Sequence, residues 1–335
     1  MITLGMETSC DETSVAIVED GVIRSNIISS QIPVHRAYGG VVPEIASRKH
    51  LENVSSVLDE AMHEANVSYG DLDLIAVTRG PGLIGALLVG VAAAKAMGLA
   101  LDIPVIGVNH MLGHILANDL SHPGLKPPYI ALVVSGGHTY LIEVDSDEDI
   151  HVIGTTRDDA AGECFDKVAR KMGLPYPGGP EIDRLAAKGN PTAYDFPRAM
   201  IREQHYDFSF SGLKTAVLTT IQNAKQKGEE IVMEDLAASF CESVVDVLLT
   251  KAFRLMDEKG LPTLVLSGGV SANERLRAEA CRRAKAKGYR VYYPDKKLST
   301  DNAAMIAAAG AKLYLAGVRT PDFGACANLS LEEER

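Results

Sequence analysis

Apolar positions along the chain fall into short runs separated by clusters of small and polar residues, a rhythm that predicts an α/β protein. Over residues 2–19 an apolar strand leads into the polar turn Ser9-Cys10-Asp11-Glu12-Thr13-Ser14 and then into a second strand, Val15-Ala16-Ile17-Val18. The pattern returns over residues 129–144. There Tyr129-Ile130-Ala131-Leu132-Val133-Val134 meets Ser135-Gly136-Gly137-His138-Thr139 and resumes as Tyr140-Leu141-Ile142-Glu143-Val144. Two copies of strand, small-residue turn and strand predict a duplicated, two-lobed architecture. A third turn, Ser267-Gly268-Gly269-Val270-Ser271-Ala272-Asn273, follows Leu264-Val265-Leu266 and opens a helix rich in Arg and Ala. A strand that runs through Gly-Gly into a helix N-terminus presents backbone N–H groups to an anion and suits a nucleotide, although turns also use glycine for their own sake.

Helical patterning is expected over residues 44–66, 82–101, 182–188, 231–255 and 303–316. The longest apolar stretch, residues 83–94, is broken by Lys95, is too short to span a bilayer, and reads as a buried helix. Residues 190–215, with Phe196, Tyr206, Phe208 and Phe210, have mixed patterning. The expected organisation is a first lobe over residues 1–127 and a second over 128–310, with a helical elaboration near 190–215. A C-terminal helix and tail over 311–335 would pack back toward the first lobe.

Composition narrows the class. A chain of 335 residues with 46% hydrophobic content is long enough for two core-bearing lobes. The N-terminus has neither a basic segment nor a long apolar one, so nothing there reads as an export signal, and a cytoplasmic protein without a membrane span is expected. Its 5 cysteines are scattered, with no CxxC pair, and read as reduced thiols. A net charge of -11 argues against indiscriminate coating of nucleic acid. Residues 275–297 nevertheless hold nine Lys or Arg against Glu279 and Asp295, which is either a solvated basic helix face or a contact surface for a polyanion.

The candidate chemistry starts from His110 and His114, four apart in a stretch that can be helical, so that both imidazoles share one face and can share a metal. Ordinary packing of two core histidines satisfies the same spacing. Metallopeptidase chemistry requires Glu directly after the first His, and Met111 stands there instead. Asp301 is available as a third ligand, and equally as the N-cap of the Ala-rich helix that follows it. Residues 162–167 place Glu163, Cys164 and Asp166 close together, and Asp166 and Asp183 flank the Gly178-Gly179-Pro180 loop, where carboxylates can accept hydrogen bonds from the two hydroxyls of a ribose.

Taken together, the motifs resemble one family. They are Met-Glu-Thr-Ser-Cys-Asp-Glu-Thr-Ser (6–14), Gly-Gly-Val-Val-Pro-Glu-Ile-Ala-Ser-Arg-Lys-His (39–50), Arg-Gly-Pro-Gly-Leu (79–83), His-Met-Leu-Gly-His (110–114) and Val-Ser-Gly-Gly-His-Thr (134–139). Gly-Gly-Pro-Glu-Ile-Asp (178–183), Phe-Ser-Phe-Ser-Gly-Leu-Lys-Thr (208–215) and Ser-Gly-Gly-Val-Ser-Ala-Asn (267–273) complete the set. Nearly end to end, the chain resembles the bacterial type of the tRNA N6-adenosine threonylcarbamoyltransferases.

That resemblance implies the two-lobed actin-like ATPase fold shared by actin, sugar kinases and chaperone ATPases, with duplicated mixed-sheet lobes. It implies transfer of the threonylcarbamoyl group from threonylcarbamoyl-AMP to N6 of the adenosine 3′ of the anticodon, in tRNAs that read codons starting with A, with AMP released. The implied metal ligands are His110, His114 and Asp301, holding one divalent metal per subunit, Fe2+ or alternatively Zn2+. Implied substrate contacts are Val134, Ser135, Gly136, Gly137 and His138 around the acyl-phosphate, and Asp166, Gly179, Asp183 and Asn273 around the adenosine. No general base is singled out, and His138, Asp11 and Glu12 remain candidates. Besides tRNA, the implied partners are a TsaB-type paralogue forming a heterodimer through the region of residues 44–66, and a TsaE-type ATPase.

Overall fold

A computed structural model describes residues 1–146 and 149–334. The chain divides into two compact units, one of residues 1–126, 149–150 and 294–334, the other of residues 127–146 and 151–293.

The first unit is built on strands β1 (Ile2–Glu7), β2 (Glu12–Glu19), β3 (Val22–Ser30), β4 (Leu74–Gly80) and β5 (Val105–Asn109), hydrogen-bonded in the order β3-β2-β1-β4-β5. β1 runs antiparallel to β2 with Met6 opposite Val15, and parallel to β4 with Gly5 opposite Ala76. Its helices are the short α1 (Ile32–His35), then α2 (Pro43–Ala65), α3 (Ile84–Leu101) and α4 (His110–Ser121). The central strands are apolar on both faces because helices cover them from both sides.

The second unit repeats the plan. Its strands are β6 (Tyr129–Val134), β7 (Thr139–Val144), β8 (Ile150–Thr155), β9 (Thr263–Ser267) and β10 (Arg290–Tyr292), in the order β10-β9-β6-β7-β8. Read from β6, this is the first sheet's order over again, with an antiparallel hairpin on one side of the opening strand and parallel partners on the other. Helices α5 (Ala161–Lys171), α6 (Gly178–Ala186), α7 (Ser211–Lys227), α8 (Met233–Lys259) and α9 (Glu274–Lys287) belong to it. Its core gathers Phe165, Phe208, Phe210 and Phe240 around the mostly buried α8.

At Pro294 the chain returns to the first unit with α10 (Lys296–Ser299) and α11 (Ala303–Leu315). This boundary differs from the expected one at residue 310, because α11 packs on β1, β2 and β4 and belongs to that core. Its Ala-rich face lies so close to β1 that a Cβ on Gly5 would come within 2.2 Å of the Ala303 carbonyl oxygen. The expected apolar helix is α3, which packs on β4 along part of its length. The helix buries Ala86, Leu87, Gly90, Val91 and Ala94 but leaves Ile84, Leu88 and Leu99 exposed, and its 18 residues are long and apolar enough to cross a membrane by length and composition.

The expected helical elaboration is not helical. Residues 190–210 are irregular chain laid against α8, and regular helix begins only at Ser211. Side chains from α8 replace the missing ladder: Asp235 accepts from the Asn190 N–H, Ser239 from the Tyr194 N–H, and Lys251 donates to the carbonyls of His205 and Asp207.

Candidate metal centre and nucleotide-binding turns

Helix α4 starts directly at the end of β5, with Asn109 as N-cap accepting a hydrogen bond from the Met111 N–H at 2.9 Å. His110 and His114 therefore sit on the first two turns, both buried, with ring centroids 4.7 Å apart. Gly113 between them lies against α11, where a Cβ would meet Ile306 Cδ1, the far end of that side chain, at 2.7 Å. That close approach delivers Asp301, whose Oδ1 lies 3.4 Å from His110 Nε2 and 3.1 Å from His114 Nε2. Asn302, not Asp301, caps α11 by accepting from the Met305 N–H at 3.1 Å, which leaves the Asp301 carboxylate to the histidines.

Two imidazole nitrogens and a carboxylate oxygen within 4.8 Å of one another form a donor set that can hold a metal ion. The fit has independent support. His114 is buried, neither ring nitrogen makes a well-formed hydrogen bond, and the nearest group to Nε2 is the Asp301 carboxylate at 3.1 Å, an arrangement that a shared cation would satisfy.

Behind the trio lies a carboxylate that the sequence reading did not single out. Glu7, at the end of β1, is wholly buried and accepts three hydrogen bonds: from the Ser9 N–H at 2.5 Å, from Thr78 Oγ1 at 2.6 Å and from His110 Nδ1 at 2.8 Å. A lone carboxylate in an otherwise apolar strand was the available signal. Burial alone would lower the His110 pKa, and the Glu7 and Asp301 carboxylates on either side of the ring outweigh it, holding the imidazole well above its usual value. Both carboxylates are in turn held low: burial opposes their charge, and His110 more than compensates. Nδ1 faces Glu7, so Nε2 is the nitrogen available to a cation, an arrangement that recurs at metal-binding histidines.

Asp11 and Glu12 lie on the turn between β1 and β2 in the same unit. Burial pushes the Glu12 carboxyl up to about 8, with the Asp11, Asp301 and Glu7 charges adding to it and a 2.8 Å bond from Ser30 Oγ opposing it. Its second oxygen, Oε2, is buried without a hydrogen-bond partner. Asp11 is raised as well, by burial and then by Asp301.

The remaining candidates all lie in the second unit. The turn after β6 is tight: the Ser135 N–H donates to the His138 carbonyl at 2.8 Å, and the His138 N–H donates to Ser135 Oγ at 3.2 Å. Glycine permits two further close approaches. A Cβ on Gly162 would lie 2.4 Å from the Ser135 carbonyl oxygen, and one on Gly268 would lie 2.5 Å from that of Val134. Asp166 accepts from the Gly178 N–H at 2.7 Å, which fixes the start of α6 beside Gly179. Asp183 accepts from Asn273 Nδ2 at 2.9 Å and from the Glu274 N–H at 3.0 Å, so α6 and α9 are tied at the residues expected to meet adenosine.

Arg275, Arg282, Arg283 and Lys287 of the basic stretch are internally paired. Arg275 makes a two-pronged contact with Glu242, Arg282 and Arg283 converge on Glu279, Arg283 also reaches Asp246, and Lys287 pairs with Asp257. Arg275, Arg283 and Lys287 hold α9 to α8 and Arg282 pairs within α9, so a polyanion surface does not follow from their number.

A family model described as tRNA N6-adenosine threonylcarbamoyltransferase matches residues 22–308. The protein of that name from Thermosipho africanus is 55% identical over 318 residues, spanning 95% of this chain and 96% of its own. Its namesake from Clostridioides difficile is 54% identical, spanning 95% and 94%. Among solved structures, T. kodakarensis HypF superposes with a TM-score of 0.63 at 16% identity, over 94% of this chain and 48% of its own. Component A of the (R)-2-hydroxyglutaryl-CoA dehydratase of Acidaminococcus fermentans gives 0.54 at 14% identity, over 93% and 98%. These two likenesses concern the fold, which is the expected actin-like one with its repeated mixed sheet.

Proposed function

From the premise that the chain belongs to the tRNA N6-adenosine threonylcarbamoyltransferase family and is a transferase of that activity, we propose how its own residues carry the reaction. The threonylcarbamoyl group passes from threonylcarbamoyl-AMP to N6 of the adenosine 3′ of the anticodon in tRNAs reading codons that start with A. The bond between carbamoyl carbon and phosphate oxygen breaks, the bond to N6 forms, N6 loses a proton, and AMP leaves.

His110, His114 and Asp301 would hold one divalent cation. Two histidines and a carboxylate suit Fe2+ with positions left open, and the same donors bind Zn2+. When bound, the cation supplies Lewis-acid polarisation of the carbamoyl carbonyl. The amides of Gly136 and Gly137, with Val134, Ser135 and His138 beside them, would hold the phosphoryl oxygens as charge builds on AMP. Asp166, Gly179, Asp183 and Asn273 would hold its adenosine. Of the candidate bases, Glu12 is favoured over Asp11 and His138. Its unpartnered Oε2 can take a proton, and a carboxyl pushed up to about 8 is matched to proton transfer near neutrality.

Exposed apolar side chains support a paralogue of the TsaB type as partner. Helices α2 and α3 approach closely at Ser47 and Gly85, and they leave Leu51, Ile84, Leu88 and Leu99 outward. We place the protein in the cytoplasm, with a TsaE-type ATPase as a further partner. The observation that carries the proposed site is the buried His-His-Asp trio, with the Asp301 carboxylate facing both imidazoles. The test is to supply threonylcarbamoyl-AMP, partner proteins and unmodified tRNA, and to measure modified nucleoside by mass spectrometry alongside bound metal. His110→Ala should lose both; full product from a metal-free variant refutes the metal's part.

A further inference from the structure

Beyond α11 the chain crosses back over the ends of β4 and β5. The Thr320 side chain accepts from the Gly107 N–H at 2.9 Å, on an edge strand that would otherwise leave that group to solvent. Phe323 is buried against Gly107, where a Cβ would come within 2.8 Å of its ring, and Lys95 Nζ lies 4.7 Å from the ring centroid. Two backbone bonds follow: the Cys326 N–H donates to the Arg79 carbonyl at 2.7 Å, and the Gly82 N–H donates to the Ala327 carbonyl at 3.1 Å. The segment rests so closely on the strand end that a Cβ on Gly80 would stand 2.0 Å from the Cys326 carbonyl oxygen. Leu329 is buried, and the Ser330 carbonyl then accepts from Asn109 Nδ2 at 3.2 Å.

Asn109 is thereby held at both ends of its amide. Its nitrogen is spent on Ser330, so its oxygen is turned to the Met111 N–H and caps the helix whose first residue is His110. An unrestrained Asn could rotate its amide or leave the cap, and the α4 N-terminus would lose the bond that fixes its direction. Register slips at the same place, where Gly80 rather than Arg79 faces Asn109 across the β4–β5 pair, so the strand ladder does not itself lock this corner.

We infer that residues 320–330 form a strap that positions the metal centre through Asn109, with Gly80 as the flat surface on which the strap lies. The inference rests on His110, His114 and Asp301 being the metal site. Asn109 is a positioning residue, and neither it nor the strap touches the substrate in this account.

The experiment uses the full chain and Zn2+ as probe, with affinity measured by competition against a chromophoric chelator. Asn109→Ser keeps a side-chain oxygen able to cap but cannot reach Ser330, and it adds no charge near a cation. Gly80→Ala drives a Cβ against the Cys326 carbonyl oxygen and lifts the strap from the strand side, changing no ligand and leaving the Asn109 side chain itself intact although the two residues pair across β4 and β5. Asp322→Ala, exposed within the same segment, is the control. Both strap variants should bind Zn2+ about 10-fold more weakly than wild type, the low end of what lost outer-shell support costs. Amide exchange in residues 320–330 should quicken, with cooperative unfolding retained and the control unchanged. Affinity within twofold of wild type in Asn109→Ser, with faster strap exchange, overturns the inference and leaves the metal site standing. Absence of Zn2+ binding in wild type overturns the metal site itself, and the strap's role with it.

Discussion

Replacing Glu7 with Gln isolates what a buried carboxylate does behind a metal ligand. The side chain keeps its volume, and its oxygen can still accept from Ser9 or Thr78, but the charge that faces His110 Nδ1 at 2.8 Å is gone. Two effects of opposite sign follow. In the metal-free protein His110 is held well above its usual pKa, with the two carboxylates overcoming burial, so a cation must displace a proton from it. Each pH unit below that pKa costs about 1.4 kcal/mol of apparent affinity, and removing Glu7 relieves part of this cost. Once Nε2 is ligated, however, the Nδ1–H bond to a carboxylate is charge-assisted and orients the ring. Its loss typically weakens binding about 10–100-fold, which corresponds to about 1.4–2.7 kcal/mol. The balance should therefore depend on pH. Zn2+ affinity measured by chelator competition should rise more steeply with pH in wild type than in Glu7→Gln. At the alkaline end, where proton competition has vanished, wild type should be tighter by about 10–100-fold. Equal or tighter binding by Glu7→Gln across the whole range would refute the reasoning.

Gly5→Ala should destabilise the protein by about 2 kcal/mol in chemical denaturation, because the new Cβ meets the backbone oxygen of Ala303, which cannot move alone. Gly113→Ala should stay within about 1 kcal/mol of wild type, since its Cβ meets only the mobile end of Ile306 and helix propensity improves. Glu279, held down to about 2 by hydrogen bonds from Arg282 and then Arg283, stabilises the fold above its unfolded value near 4.5 and stops doing so as pH falls from there toward 2. Allowing for solvent around Arg282, Glu279→Gln should cost about 1–2 kcal/mol at pH 7 and much less at pH 3, read from paired denaturation curves. For Glu12, the basic form gains as pH rises toward about 8, so product formation should climb over that interval in wild type and be low and flat in Glu12→Gln. A parallel climb in the variant would move the base elsewhere.

The duplication was legible because its signal is local: each lobe opens with a strand, a small-residue turn and a returning strand, and the two sheets repeat one order. The histidine pair was legible for the same reason, as spacing on one helix. Asp301 was not decided by its own neighbourhood, because Asp301 and Asn302 stand side by side and either can cap a helix; only the fold shows Asn302 taking the cap. Glu7 escaped because its partners Thr78 and His110 come from β4 and α4, brought beside β1 by parallel pairing. Residues 190–210 misled for a related reason. Their backbone is satisfied by side chains of α8, an arrangement without periodicity, so mixed patterning was mistaken for helix. Counting Lys and Arg likewise missed the partners of the basic stretch, since the carboxylates that pair with Arg275, Arg283 and Lys287 lie on α8.

The long detour between the histidines and Asp301 also sets a timetable. As the ribosome releases the chain from its N-terminus, all five strands of the first sheet and both imidazoles emerge before any of the second unit, while α11 and Asp301 emerge after it. A nascent or prematurely stopped polypeptide therefore carries two of the three ligands and lacks the third. Completion of the centre reports that the second unit has been synthesised, and an interrupted translation product has no competent trio with which to capture the cell's metal.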